Sequence, residues 1–282
     1  MKDSRAGRES GPLSFQDLKE PNPMIESKDN EKLRLVRKLQ VRKHRERQGA
    51  FATEGEDLFA AGLAAGARPR FVLVAAGTGL HGTDSGEGAS YAVDVVNGDL
   101  LDSVSSLGSG TRVIAVWERS EAIAPGAPCV YLDAVGDPGN VGTIVRTAHA
   151  LLDATVVLGP GCADAFGPKA TRASMGSLFA RPPVPVAGVE ETPEPRVALV
   201  AHGGAPLDEA LAGAATLCLG SERDGLRPGV LAACERTATI PLAGAAESLN
   251  VAAAAAIGCE RLAAAGGARI SSLAMSKEQT GA

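Results

Sequence analysis

Two rhythms of hydrophobic and polar positions run along the chain. In the first third, Leu33, Val36, Leu39 and Gln40 recur near helical spacing from Asp29, and Gly49 closes the helix they predict. A second helix is expected over 56–65, a third over 99–107, with strands over 71–75, 93–96 and 112–117 and a Gly/Ser/Thr-rich loop over 77–90. Further on, short apolar runs at 129–133, 155–158, 197–201, 217–219 and 237–240 read as buried strands. Helical patterns separate most of them, including 141–151 and a final Ala-rich helix over 249–265. Strands alternating with helices predict an α/β fold with a mostly parallel sheet covered on both faces. The small side chains of the last helix permit close packing against a neighbour.

Residues 1–28 are polar without a sustained period and read as a flexible tail. Mixed charge with Ala, Gly and Pro places a linker at 118–127. It separates a small α/β domain at 29–117 from a larger one at 128–266, and 267–282 reads as a loose C-terminal tail.

Composition narrows the function. The chain has 282 residues, 45% of them hydrophobic, so it can bury a substantial core. Aromatics make up only 3%, which argues against a single-strand binder built on base stacking. Five scattered cysteines form no C-x-x-C pair and read as free thiols in a reducing compartment. Four distant histidines argue against a zinc site. Neither a signal-peptide pattern nor an uninterrupted membrane-length apolar run is visible, so a soluble cytoplasmic protein is expected. Formal net charge is −5, which alone disfavours nucleic acid. Distribution matters more, because Lys32, Arg34, Arg37, Lys38, Arg42, Lys43, Arg45 and Arg47 face only Glu46 across one segment. That segment is either a polyanion contact or a solvated helix face.

Three loops at strand ends carry candidate chemistry. The first runs Asp133-Ala-Val-Gly-Asp-Pro-Gly-Asn-Val-Gly-Thr-Ile-Val-Arg146. Its Gly136, Gly139 and Gly142 permit tight turns and close ligand approach, and Asn140 and Arg146 straddle a helix start suited to anions. The same glycines in a structural turn, or in a dinucleotide loop, are the competing readings. The spacing G-x-x-G-x-x-G departs from the dinucleotide fingerprint. The second loop, Leu219-Gly-Ser-Glu-Arg-Asp-Gly-Leu226, brackets Glu222 between Gly220 and Gly225, with Ser221 a candidate helix cap. The third, Ile240-Pro-Leu-Ala-Gly-Ala-Ala-Glu-Ser-Leu-Asn-Val251, enters the last helix with Ser248 as its candidate cap.

In this order the three loops resemble the motifs of the SpoU/TrmH family, the RNA 2′-O-ribose methyltransferases of the SPOUT class. The first motif is matched by Asn140 and Arg146. The second is matched by Gly220, Glu222 and Gly225, and the third by Ile240, Pro241, Leu242, Gly244, Ser248, Leu249, Asn250 and Val251. Residues 168–179 also resemble the family's Lys/Arg-Ser-x-Gly segment. The resemblance covers about 128–265.

It implies a parallel-sheet domain with a C-terminal trefoil knot, a homodimer, and methyl transfer from S-adenosylmethionine to structured RNA, foremost 23S ribosomal RNA. A transfer RNA substrate or a non-catalytic RNA binder of the same fold are the alternatives. Position by position, it implies cofactor contacts at Gly220, Ile240, Leu249 and Leu242, with Ala201, His202 and Gly203 lining the same pocket. It implies catalytic roles for Arg146, Asn140, Glu222, Ser248 and Asn250, with no metal. Because an arginine stays protonated, a phosphate clamp that stabilises developing alkoxide fits Arg146 better than a general base. His149, three residues on, is a candidate base or, more commonly for its position, a packing residue; His44 and His81 carry no assigned role. The small domain resembles the ribosomal protein L30e-like domain of such enzymes, with Arg37, Lys38, Arg42, Lys43, Arg45 and Arg47 expected on RNA phosphates.

Overall fold

The computed structural model describes residues 24–78, 91–120, 124–244 and 247–266. The expected tails at 1–23 and 267–282, and the part of the expected loop that holds His81, lie outside them.

The N-terminal part contains helices α1 (Glu31–Leu39) and α2 (Arg42–Gln48), strand β1 (Ala50–Glu54), helix α3 (Glu56–Ala64), strands β2 (Pro69–Ala75) and β3 (Ala92–Val96), helix α4 (Gly98–Asp102) and strand β4 (Val113–Glu118). The single helix expected up to Gly49 is two helices. Val41 takes an extended conformation (φ −102°, ψ 129°) between them, and Gly49 caps the second in the left-handed region. β1 was not anticipated, and α4 is shorter than the 99–107 expected. Ile25, inside the expected tail, is instead buried and bridges to Val96 beside β3.

These strands form a four-stranded sheet in the order β1-β4-β2-β3. Its core follows from the two-residue period of a strand. Ile114 and Val116 of β4 and Phe71 and Leu73 of β2 face α1, against Leu33, Val36 and Leu39. Val113, Ala115, Trp117, Val72 and Val74 face the other way, into a core shared with the C-terminal half. Trp117 packs on Phe179 (4.7 Å between ring centroids), and Phe51 on Phe166 and Phe179 (5.0 and 5.7 Å). The Trp117 indole nitrogen donates to Thr53 Oγ1 at 2.8 Å, so the buried ring keeps its polar atom satisfied.

The C-terminal half contains β5 (Cys129–Leu132), α5 (Pro138–Leu152), β6 (Thr155–Leu158), α6 (Pro168–Ser174), α7 (Ser177–Ala180), β7 (Val184–Pro185), β8 (Arg196–Leu199), β9 (Ala205–Pro206), α8 (Leu207–Ala210), β10 (Thr216–Leu219), α9 (Pro228–Ala232), β11 (Arg236–Thr239) and α10 (Val251–Ala265). Seven parallel strands lie in the order β7-β6-β5-β10-β8-β11-β9. Residues on both faces of β5 and β10 are buried, as an interior parallel strand requires. From β5 the chain steps outward to β6 and β7, then returns to β8 on the other side. The order therefore reverses between β5 and β10, and in such sheets ligands bind beyond the carboxyl ends of the strands at that reversal. α5 packs between α6 and α10. Gly142 permits the α6 contact, since a Cβ there would lie 2.2 Å from the Ala170 carbonyl oxygen. That accounts for one glycine of the first loop by packing rather than by ligand approach. Among the described residues, no helix is long and apolar enough to cross a membrane.

Candidate active site

At the reversal, the loop after β5 and the loop after β10 meet. Asp133 ends β5 fully buried. It accepts hydrogen bonds from the Arg227 backbone N–H and from Arg227 Nε, both at 2.8 Å. A buried carboxylate requires such a partner, and here the pair ties the loop after β10 to the end of β5. That loop folds back on itself through a Ser221–Gly225 bridge. Gly220 is needed because a Cβ would fall 2.1 Å from the Gly225 carbonyl carbon, and Gly225 because its φ is +66°. Ser221 does not cap a helix; its hydroxyl accepts from Asp224 N within the turn, and α9 begins only at Pro228.

The folded loop presents Glu222 to the first turn of α5. Asn140 donates from Nδ2 to Glu222 Oε1, and Asn250 Nδ2 donates to Asn140 Oδ1 at 3.3 Å. Residues 82 and 110 positions apart are thus joined in one polar chain. Asn140 is held from behind. Asp137, the N-cap of α5, accepts from Asn140 N at 2.9 Å and pairs with Lys169 Nζ at 2.6 Å. The Lys169 hydrogen bond, aided by the bond from Asn140, holds the Asp137 carboxyl below its ordinary range. Asn250, rather than Ser248, caps α10, accepting from Ala252 and Ala253 N–H groups through Oδ1. Its amide nitrogen remains free for Asn140, so one side chain starts a helix and closes the polar chain.

Beside this chain a cavity of about 370 Å³ opens beyond the carboxyl ends of β8, β10 and β11. Ala201, His202, Gly220, Glu222, Ile240, Leu242, Ser248 and Leu249, all expected from the sequence, line it. Gly203, at φ +77°, is exposed next to the lining but not part of it. Sequence reasoning missed Arg223 and Glu247 on the rim, and Leu199 and Ala254 on the apolar wall. The two charged ones sit at variable positions inside the motifs, where nothing in the pattern distinguishes them.

Arg146 is placed differently. It follows Asn140 by six residues, about 9 Å along the helix and roughly 120° around it. Its side chain is exposed, lines no part of the cavity, and has no hydrogen-bond or ion-pair partner among the described residues. His149 is half-buried with Nδ1 3.1 Å from Ser177 Oγ, which ties α5 to α7 away from the cavity.

The basic segment divides. Arg37, Lys38, Lys43 and Arg47 are exposed, and Arg42 is exposed while paired with Glu46 at 2.8 Å. Arg45 does not join them: it is 4% exposed, bonded to Asp164 at 2.8 Å and to the Leu39 carbonyl at 2.7 Å. It points from α2 into the junction with the C-terminal half, so its charge is already neutralised and closed to RNA phosphates.

Comparison with known proteins agrees with this architecture. The SpoU rRNA Methylase family matches residues 127–260, and an MRM3-like substrate binding domain matches 30–115. A Bacillus subtilis protein named 23S rRNA (guanosine(2553)-2′-O)-methyltransferase RlmP is 35% identical over 242 residues, covering 83% of this chain and 96% of the relative. The SpoU methyltransferase AviRb of Streptomyces viridochromogenes, solved with AdoMet, superposes with a TM-score of 0.72 at 26% identity, over 83% of this chain and 97% of that one. An AdoMet-bound rRNA methyltransferase of Sinorhizobium meliloti gives 0.74 at 26% identity, over 86% and 97%. With both halves matched and the motif residues gathered at one sheet edge, the chain belongs to the SpoU family of RNA methyltransferases.

Proposed function

We propose that this protein transfers a methyl group from S-adenosylmethionine to a ribose 2′-hydroxyl of 23S ribosomal RNA, acting in the cytoplasm as a homodimer with a knotted carboxyl-terminal segment. The observation that carries the reading is the Glu222–Asn140–Asn250 chain, which reaches the cavity lining through Glu222. The cavity's size and its mixture of apolar wall and polar rim suit a mid-sized amphipathic ligand. Gly220, Ile240, Leu242 and Leu249 would hold the donor, with Ala201 and His202 closing one side and Gly203 at the margin. S-adenosylmethionine, when bound, supplies a methyl on a sulfonium, and transfer needs the accepting oxygen in line with the carbon–sulfur bond. The work left to the chain is alignment and charge stabilisation.

Glu222 fixes the Asn140 amide, and Asn140 with Asn250 offers oriented polar groups to the ribose. Ser248 adds an exposed hydroxyl at the same rim. Arg146 supplies a permanent cation for the phosphate beside the reacting sugar. Since it lines no part of its own chain's cavity, it serves the site of a second copy. The exposed apolar residues Leu151 of α5 and Ile257 of α10 support an interface between copies.

Mapping ribose methylation in ribosomal and transfer RNA from cells with and without the gene tests the proposal. One 23S position that loses its methyl group is the expected result. A missing methyl in transfer RNA alone would reassign the substrate, and no change in either RNA would remove the activity.

A further inference from the structure

A second polar cleft lies where the two halves join, and the functional reading above does not use it. It opens beyond the carboxyl ends of β6 and β7, has a volume of about 460 Å³, and is lined by Arg42, Glu46, Arg119, Asp164 and Phe166 together with the 158–163 turn. Arg119 also lines the adjoining cavity of about 340 Å³ along the β7 edge. Its backbone N–H donates to the Gly49 carbonyl at 2.8 Å, which continues the β1–β4 ladder by one residue. Its guanidinium lies over the Phe166 ring, 4.5 Å from the centroid.

The charge balance of the cleft singles out this residue. Arg42 is matched by Glu46, Arg45 by Asp164, and nearby Arg70 and Arg181 by Glu118 and Asp153. Arg119 is half-buried, yet among the described residues its side chain has no hydrogen-bond or ion-pair partner. A stacked guanidinium is restrained in orientation with its donors unspent, which is the arrangement that grips a phosphate bidentately.

Position connects this cleft to the chemistry. All seven strands are parallel, so it shares the carboxyl edge of the sheet with the cofactor cavity. β6 is two strands from β10, and β7 is four from β8. At about 4.8 Å per strand the two openings lie roughly 10–20 Å apart. The geometry points to a phosphate-binding site for the substrate RNA in this cleft, with Arg119 as its main ligand and Arg42 exchanging Glu46 for a second phosphate. This inference rests on the methyltransferase reading for the identity of the RNA.

The test uses the full chain and an in vitro transcript of 23S ribosomal RNA from the source organism. Arg119→Gln should weaken binding of the transcript about tenfold and raise its KM by a similar factor. kcat, affinity for S-adenosylmethionine and the thermal midpoint should be preserved. The slope of log affinity against log salt should become shallower by about one contact. Arg119→Lys should recover part of the affinity. Wild-type affinity and slope in Arg119→Gln would overturn the inference. So would a loss accompanied by weaker S-adenosylmethionine binding and a lower midpoint, because Arg119 would then be structural. If the wild-type protein bound the transcript but methylated no RNA, the functional reading would fail while the cleft kept its own test.

Discussion

The carboxyl edge of the parallel sheet and the junction between the two sheets use the same residue types in opposite ways. At the edge, Asn140, Glu222 and Asn250 are bonded to one another near the cavity mouth, Asn250 also caps α10, and Ser248 is exposed. At the junction, Arg45 and Asp164 are shut in, with side chains 5% and 10% exposed, and bond to each other at 2.8 Å. Polar groups at the edge are left where the proposed function can use them on a ligand, whereas those at the junction are consumed in holding the fold. The difference assigns each basic residue either to function or to architecture, and substitution at each region should separate activity from stability.

The largest expected effect is at Arg146, which under the proposed function completes the edge of a second copy. Arg146→Ala should reduce methyl transfer by about 10³-fold, the scale of removing one preorganised charge-stabilising donor. Calorimetric binding of S-adenosylmethionine and the thermal midpoint should hold, because the side chain touches neither the cavity nor a partner among the described residues. Undiminished turnover would remove Arg146 from the mechanism.

At the junction the signature should reverse. Arg45→Ala leaves Asp164 buried without its cation and should cost about 3 kcal/mol of stability in denaturant titrations. Arg47→Ala, five residues from the same helix start but exposed, should leave stability unchanged and weaken RNA binding only a few-fold, with a shallower salt dependence. Equal behaviour of the two variants in both assays would erase the distinction between the regions. Asp133→Ala tests what holds the edge together. It frees the loop that carries Glu222 and should cost about 2–3 kcal/mol, somewhat less than Arg45→Ala because Arg227 is half in solvent. Weaker S-adenosylmethionine binding should accompany the loss.

How much of this was legible in the sequence depends on what each residue's neighbours are. Parallel strands and the final helix were readable because buried strands are continuous apolar runs and α10 is Ala-rich. The cavity residues were readable because the motifs sit at strand ends, and a parallel sheet brings all those ends to one edge. Arg45 was not. In α2, Arg42, Lys43, His44, Arg45, Glu46 and Arg47 carry no apolar stripe, so nothing local marks the inward face. Its partner Asp164 lies 119 residues away. The cap of α10 was misplaced for a related reason: Ser248 and Asn250 are both good caps, and only the backbone turn at Asn250 (φ −53°, ψ 138°) decides between them. The position of Arg146 relative to Asn140 was implicit in the six-residue spacing, which on a helix separates rather than unites their directions.

The smallest expected effect returns to the edge and asks whether its support is electrostatic. Lys169 holds the Asp137 carboxyl below its ordinary pKa. A carboxylate whose pKa is depressed by folding contributes stability that is present above its unfolded value, near 3.9, and is lost as pH falls through the folded value. Lys169→Gln removes the main cause of the depression while sparing the backbone bond from Asn140. Its thermal midpoint should lie slightly below that of the parent protein at pH 6, and the two should converge once pH has fallen through the depressed folded value, where Asp137 is protonated in both. The gap should be small and shrink in salt, since the lysine and aspartate side chains are 59% and 44% exposed. Carbon-detected NMR titration should show the Asp137 pKa moving upward in the variant. If it does not move, Asn140 is positioned by the helix cap alone, and the edge draws its order from backbone geometry, as the junction draws its own from burial.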